Sequence, residues 1–220
     1  CSLRLVEKAY KSQVSSGGDE VLKKITETLG VLPDPISKET KALILIEGKT
    51  DIIFFNHLCK VLKESGEIDR TFQEANIALV PTGGCDNLKS WITMKTVGQF
   101  GLPFWIFLDS DRISPTNQTK NTSTVEKNRK HGRTAFCTRK REAENYLHPD
   151  IFDGHVNITD YNDVKEEVKN FNQTNENKVL QNNWPKMTVD QIHEQEKYID
   201  EDGIEHFELT EIVKEFLSLV

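Results

Sequence analysis

The sequence predicts an α/β fold: a mostly parallel sheet of about four strands flanked by helices, followed by a mainly helical C-terminal extension. Three observations predict it. Apolar runs of strand length recur along the chain. The first three are apolar throughout rather than alternating, as expected of strands covered on both faces. Helical patterns lie between them, and a strand–helix–strand order returns the chain to the same end of a sheet, so the strands run parallel.

The elements follow in order. Leu3 to Lys11 reads as a helix, then SSGGDE as a flexible link. Asp19 to Leu29 carries Val21, Leu22, Ile25 and Leu29 at helical spacing, and Gly30 with VLPDP closes that helix. ALILI, Ala42 to Ile46, is the first strand of the main domain. Thr50 to Ser65 is an amphipathic helix with Ile53, Phe54, Leu58, Val61 and Leu62 on one side. IALV, Ile77 to Val80, is the second strand, and PTGG leads into a helix near Asn87 to Val97. FWIFL, Phe104 to Leu108, is the third strand. A polar stretch from Ser114 to Thr124 precedes a fourth, TAFCT, Thr134 to Thr138. Beyond Pro149 the chain turns polar and poor in strand signals. Val164 to Phe171 and Leu209 to Val220 read as helices, and the Asn-rich stretch from Asn170 to Asn183 as a loop. The implied division is residues 1–36 as an N-terminal helical segment, 37–150 as the catalytic domain and 151–220 as the helical extension.

At 220 residues the chain can bury a core without disulfides or structural metal. Its net charge of -7 argues against a non-specific DNA-coating protein. It leaves room for an enzyme that meets DNA locally, because carboxylates that bind cations add negative charge. Cys1, Cys59, Cys85 and Cys137 lack CxxC spacing, and no histidine completes a zinc pattern. Buried free thiols suit a reducing cytoplasm. No stretch has the apolar length of a membrane span or the form of a signal segment. The opening, CSLRLVEKAYKSQ, reads as a cut through a longer polypeptide.

The chemistry lies at the strand ends. The first strand runs into IEGKTD, which sets Glu47 at its C-terminal end and Asp51 at the start of the next helix. Ligand sites of open α/β sheets lie beyond those ends. The third strand runs into FLDSDR, where Asp109 and Asp111 can face the same way. Two aspartates at the end of an apolar strand are costly unless a cation binds them, and hard oxygen donors suit Mg²⁺ or Mn²⁺. After the fourth strand, RKREAENYL supplies Glu142 and Glu144 beside Arg139, Lys140 and Arg141. Either glutamate can complete a metal site, Glu144 being favoured, and the basic residues can hold a scissile phosphate.

These motifs, E-G-K-T-D, D-S-D-R and R-E-A-E-N-Y-L, together resemble a Toprim domain, over roughly Lys41 to Leu147. The form is most similar to that of the overcoming-lysogenisation-defect (OLD) family nucleases. The resemblance implies a DNA endonuclease using two divalent cations, in a family linked to anti-phage defence. It makes Glu47 the Toprim glutamate, Asp51 its partner and Asp109 with Asp111 the DxD pair. Glu47 and Asp109 then count as catalytic as well as metal-holding, and either Lys140 or Arg141 is the basic residue that assists. In that family an ABC-type ATPase precedes the Toprim region. No Walker A pattern occurs in this chain, so the ATPase is expected upstream of Cys1. A ribonuclease acting on structured RNA such as tRNA, and a non-catalytic nucleic-acid-binding module, are the alternatives. A covalent route through Tyr146 competes less well, since that residue reads as an aromatic anchor.

Gly83 and Gly84 before a helix can form a phosphate nest or a simple turn. Between Arg112 and Arg141, Lys120, Lys127, Arg129, Lys130, Arg133, Arg139, Lys140 and Arg141 face only Glu126 as an opposing charge. Such a run, with Arg112, Lys127, Arg129, Lys130 and Arg139 foremost, can contact a nucleic-acid backbone without reading sequence. His57 and His131 read as structural or exposed, Trp91, Trp105 and Trp184 as core or interface. The C-terminal helix reads as packed on the main domain, with a second copy of the chain as the alternative partner.

Overall fold

The computed structural model describes residues 4–8, 12–16, 39–88 and 101–220. At its centre four strands run parallel in the order β4-β3-β5-β6: β3 (Ala42–Ile46), β4 (Ile77–Pro81), β5 (Phe104–Leu108) and β6 (Ala135–Cys137). The all-parallel order is what the apolar runs predict.

Alternation along each strand divides the core into two layers. Ala42, Ile44, Ile46, Leu79, Trp105 and Phe107 face one cluster. Leu43, Leu45, Val80, Ile106 and Leu108 face the other. On the first face lies helix α1 (Lys49–Glu64), which buries Phe54, Phe55, Leu58 and Leu62. On the second lies helix α2 (Lys120–Lys130), through Val125, beside a helical turn at 85–88.

The C-terminal third belongs to the first face. Helices α3 (Val164–Asn172), α4 (Val179–Asn183), α5 (Val189–Glu196) and α6 (Glu208–Ser218) share one hydrophobic cluster with the sheet and α1. Trp184 stacks near Phe54, ring centroids 4.5 Å apart, and its indole N–H donates to the Phe54 carbonyl at 2.9 Å. Phe216 of α6 packs against Trp105 at 5.7 Å and Phe136 at 5.4 Å. Helix α6 therefore covers the sheet, the packing that the sequence favoured over a partner chain.

Several elements differ from the sequence reading. The expected helix from Leu3 to Lys11 is replaced by an antiparallel pair, β1 (Arg4–Lys8) with β2 (Ser12–Ser16), in which Val6 stands opposite Val14. The serines of SQVSS have little reason to extend a helix, whereas ladder pairing satisfies both backbones. Half of the polar stretch expected between strands is the first turn of α2, because Thr119 caps it by accepting from the Thr122 amide. The Asn-rich stretch is not loop throughout: Val179 and Leu180 bury themselves on α1 and draw 179–183 into helix. A hairpin, β7 (Lys197–Ile199) with β8 (Glu205–Phe207), interrupts the helical extension. The helix expected at Asp19 to Leu29, and most of that near Asn87 to Val97, lie outside the described residues.

Candidate active site at the carboxyl ends of the strands

The chain leaves β3 at Glu47 and enters α1 at Lys49. Asp51, in the first turn of α1, accepts hydrogen bonds from the amides of Glu47 (3.0 Å) and Gly48 (2.9 Å). It thereby caps its own helix, where the helix dipole favours its charge. Gly83 and Gly84, both at positive φ, donate their amides to the Glu47 carbonyl at 2.9 and 3.1 Å. Those two glycines close a turn that fixes Glu47; their amides are already engaged, so the turn reading describes them and the phosphate nest does not.

Beyond β5, Asp109 accepts from the Ala143 amide at 2.9 Å. Asp111 adopts a left-handed conformation, φ 55°, which aspartate tolerates better than most residues. Its amide donates to the Arg141 carbonyl (2.8 Å) and its carboxylate accepts from Asn121 at 2.8 Å. Asn121, in the first turn of α2, also bonds the Glu47 carboxylate. One amide side chain thus joins two acidic groups that are 64 residues apart (Glu47 to Asp111). After β6, a short 3-10 turn, Ala143–Tyr146, presents buried Glu144, with Glu142 as its cap.

The six carboxylates Glu47, Asp51, Asp109, Asp111, Glu142 and Glu144 face one another, and the electrostatics record it. Burial, then the charges of Asp111 and Asp51, push Glu47 up to about 7. Asp109 is raised well above the usual carboxylate range by burial and by Asp51, Glu144, Glu47 and Glu142. Burial also raises Glu144 to about 7, against the pull of Lys165. Burial raises Asp51 and Asp111 as well. Negative charge here is crowded and poorly solvated, an arrangement that favours protons or bound cations.

A cation to which the sequence did not point enters the cluster. Lys165, in the first turn of α3, places Nζ 2.6 Å from Glu142 and 3.5 Å from Glu144. Burial opposes its charge, yet Glu144 and Glu142 prevail and raise its pKa. The only sequence signal for it is a lysine opening an amphipathic helix.

The basic residues expected to assist make further contacts. Lys140 is buried and directs Nζ to the Asn145 carbonyl (3.0 Å), Gln195 (3.0 Å) and Asp160 (3.3 Å). Arg141 pairs with Asp163 at 2.9 Å, and its Nε lies 3.7 Å from Glu142 of the cluster. Arg139 pairs with Asp160 at 2.5 Å and lies over the Tyr198 ring. Tyr146 is fully buried and donates to Glu208 at 2.5 Å, the anchor that the sequence suggested.

In kind, the donors fit a hard divalent cation: all are carboxylate oxygens, with no thiol or imidazole among them. Their arrangement is looser. Among the described residues no three His, Cys, Asp or Glu side chains form a ready metal-ligating group. Backbone amides hold Asp51 and Asp109, and Lys165 holds Glu142 and Glu144.

A parallel four-stranded sheet with acidic motifs beyond its first and third core strands is consistent with a Toprim-type α/β fold. Residues 40–111 match the family model for the overcoming lysogenization defect protein-like TOPRIM domain, a span from just before β3 through Asp111. The match covers Glu47, Asp51, Asp109 and Asp111 and ends before β6 and the Glu142–Glu144 turn. No curated protein and no solved structure matches the chain. The match supports a nucleic-acid-related function for this part of the chain. Among the described residues no helix is long and apolar enough to cross a membrane.

Proposed function

We propose that the chain is a metal-dependent endonuclease that hydrolyses DNA phosphodiesters, working in the cytoplasm beside an ABC-type ATPase in anti-phage defence. The observation that carries the chemistry is the convergence of carboxylates from three separate segments, after β3, β5 and β6, into one crowded group. The ATPase, the defence role and the location rest on the family resemblance.

Glu47, Asp51, Asp109, Asp111 and Glu144, with Glu142 beside them, would hold two Mg²⁺ or Mn²⁺ ions. When bound, such ions activate a water and stabilise the leaving 3′-oxygen. The chain's own residues do the positioning. Asn121 orients Glu47 and Asp111 together, and the Ala143 amide fixes Asp109. Lys165 joins Lys140 and Arg141 as a candidate for the assisting basic group. Lys140 is turned to Asp160, whereas Arg141 reaches Glu142 and Lys165 stands among the acids themselves, where these two can meet negative charge growing on the phosphate.

The test is cleavage of supercoiled plasmid and of total tRNA in Mg²⁺, Mn²⁺ or EDTA, comparing wild type with Asp109→Asn. Nicking or linearisation that needs the metal and vanishes in the variant is expected. Cutting of tRNA alone would transfer the activity to RNA.

A further inference from the structure

The cations of this chain fall into two sets. Around the acidic cluster each is neutralised: Arg139 and Lys140 by Asp160, Arg141 by Asp163 and Glu142, Lys165 by Glu142 and Glu144. On the opposite layer, Lys127, Lys130 and Arg133 form no ion pair with a carboxylate among the described residues, and neither does Arg112 in the loop beyond β5; Arg129 turns to the edge of the sheet, where it shares a cavity with Glu208, Glu211 and Glu215. Arg129 and Arg133 are instead fixed by neutral groups. Arg129 donates to the Ala135 carbonyl at 2.6 Å and covers Phe136; Arg133 donates to Asn128 at 3.0 Å and covers Phe104. From 127 to 141 no acidic residue occurs. In a chain of net charge -7, that is a marked segregation.

Helix α2 connects this surface to the cluster. Its first turn is tied there by Asn121 to Asp111 and by the Thr119 hydroxyl, which donates to the Ser110 carbonyl at 2.5 Å. Its 11 residues then carry the chain roughly 15 Å away. At seven- and three-residue spacing, Lys120, Ser123, Lys127 and Lys130 share one exposed stripe. Lys120 at its head is paired with Asp86, exposed Glu126 beside the stripe accepts from Gln118, and the charge is least compensated toward the far end.

We propose that this basic end of α2 holds the phosphate backbone of duplex DNA at a distance from the point of cleavage, an inference that rests on the endonuclease reading. Lys127 and Lys130 make the contacts, with Arg133 adding field. The span of α2 corresponds to roughly four to five base pairs of rise, at 3.4 Å each. Duplex rather than single strand follows from what the surface lacks. Single-strand binders stack bases on exposed aromatic rings, whereas the exposed large hydrophobic side chains among the described residues include none on α2, and Phe104 and Phe136 lie under arginines. Contacts of this kind give affinity without sequence preference.

The experiment is fluorescence anisotropy of a labelled 30-base-pair duplex in EDTA over a series of KCl concentrations. It compares wild type, Lys127→Glu/Lys130→Glu and a charge-matched control, Lys178→Glu/Lys186→Glu, which alters exposed lysines associated with the other face of the sheet. Thermal melting checks that all three fold alike. The first variant is expected to lose at least tenfold in affinity at low salt. The slope of its log affinity against log salt should shrink by about 2, at about 0.9 per phosphate contact, with the control close to wild type. Equal losses in both variants, no loss in the first, or a wild type that does not bind the duplex would overturn the proposal. If Asp109→Asn abolishes cleavage while Lys127→Glu/Lys130→Glu binds normally, the surface is rejected and the endonuclease retained. A slope loss confined to the α2 variant, in a chain that cuts nothing, retains the surface and rejects the endonuclease.

Discussion

Lys165 shows how differently a single cation behaves according to what surrounds it. Exposed ion pairs contribute little, but this ammonium is two-thirds withdrawn from solvent and lies among carboxylates that repel one another. Replacing it with Met would remove the positive charge and leave the acids facing each other unopposed. If Lys165 only offsets that repulsion, Lys165→Met lowers thermal stability in EDTA, and saturating Mn²⁺ restores both stability and cleavage. If it also meets the phosphate, Mn²⁺ restores the melting temperature while kcat stays at least 100-fold low, since one well-placed charge in a water-poor site has that scale of effect. Parallel melting curves and single-turnover cleavage measure this, and full recovery of kcat would reduce Lys165 to a structural role. The acids were legible in the sequence because each follows an apolar strand, and a parallel sheet brings all such ends to one side. Lys165 and Asn121 were not. They enter through the first turns of helices whose positions depend on long-range packing, and a lysine or asparagine there looks like any surface residue. For Lys140 and Arg141 the sequence shows the charge but not Asp160 and Asp163, which neutralise it from some 20 residues further on.

Between elements, the decisive contact is α6 against the sheet. The strands were legible because continuous apolar runs of strand length admit few other readings, and α6 because its apolar residues keep helical spacing. What sequence could not supply was the division of the extension into short helices and a hairpin. These segments are polar overall and gain their order by placing single large side chains, Trp184, Met187 or Ile192, into a core formed elsewhere. Phe216 tests this arrangement. It is fully buried and touches Trp105, Phe136 and Phe72, rings that belong to β5, β6 and the loop before β4. Truncation to alanine leaves a cavity beneath two strands that carry the acidic motifs, and Phe216→Ala should cost about 3–5 kcal/mol. Urea unfolding reads this directly. A loss under about 1 kcal/mol would mean that α6 lies on the sheet without supporting it.

Over the whole molecule, the crowded acids couple stability to pH and to divalent cations. Glu47, Glu144 and Glu208 are all pushed up to about 7, in each case by burial first. A carboxyl whose folded pKa exceeds its unfolded value keeps a proton that the unfolded chain releases. Its contribution is therefore complete below about 4.5 and is lost as pH rises toward 7. Asp160, Asp200 and Glu74 are shifted downward, so their contribution changes only below this window. His206, raised by Asp200 and Glu211, acts in the same sense as the glutamates, and His57, lowered by burial, in the opposite one. The response to a cation separates the cluster from these other groups. Glu47 and Glu144 lie in it, whereas Glu208 is held by Tyr146 and the Arg139 amide at 2.5 Å each. The metal-free chain should thus melt several degrees lower at pH 8 than at pH 5. Mn²⁺ at 100 times its Kd, a ratio worth about 2.7 kcal/mol, should recover stability at pH 8 and have little effect at pH 5, where protons already occupy the carboxyls. Asp109→Asn should melt higher than wild type without metal, because it removes a buried repelling charge, and should respond weakly to Mn²⁺. Differential scanning fluorimetry across pH, with and without Mn²⁺, measures all three. If Mn²⁺ stabilised wild type and Asp109→Asn equally, or acted equally at pH 5 and pH 8, cation binding would lie outside this cluster, and the endonuclease reading would lose its chemical basis.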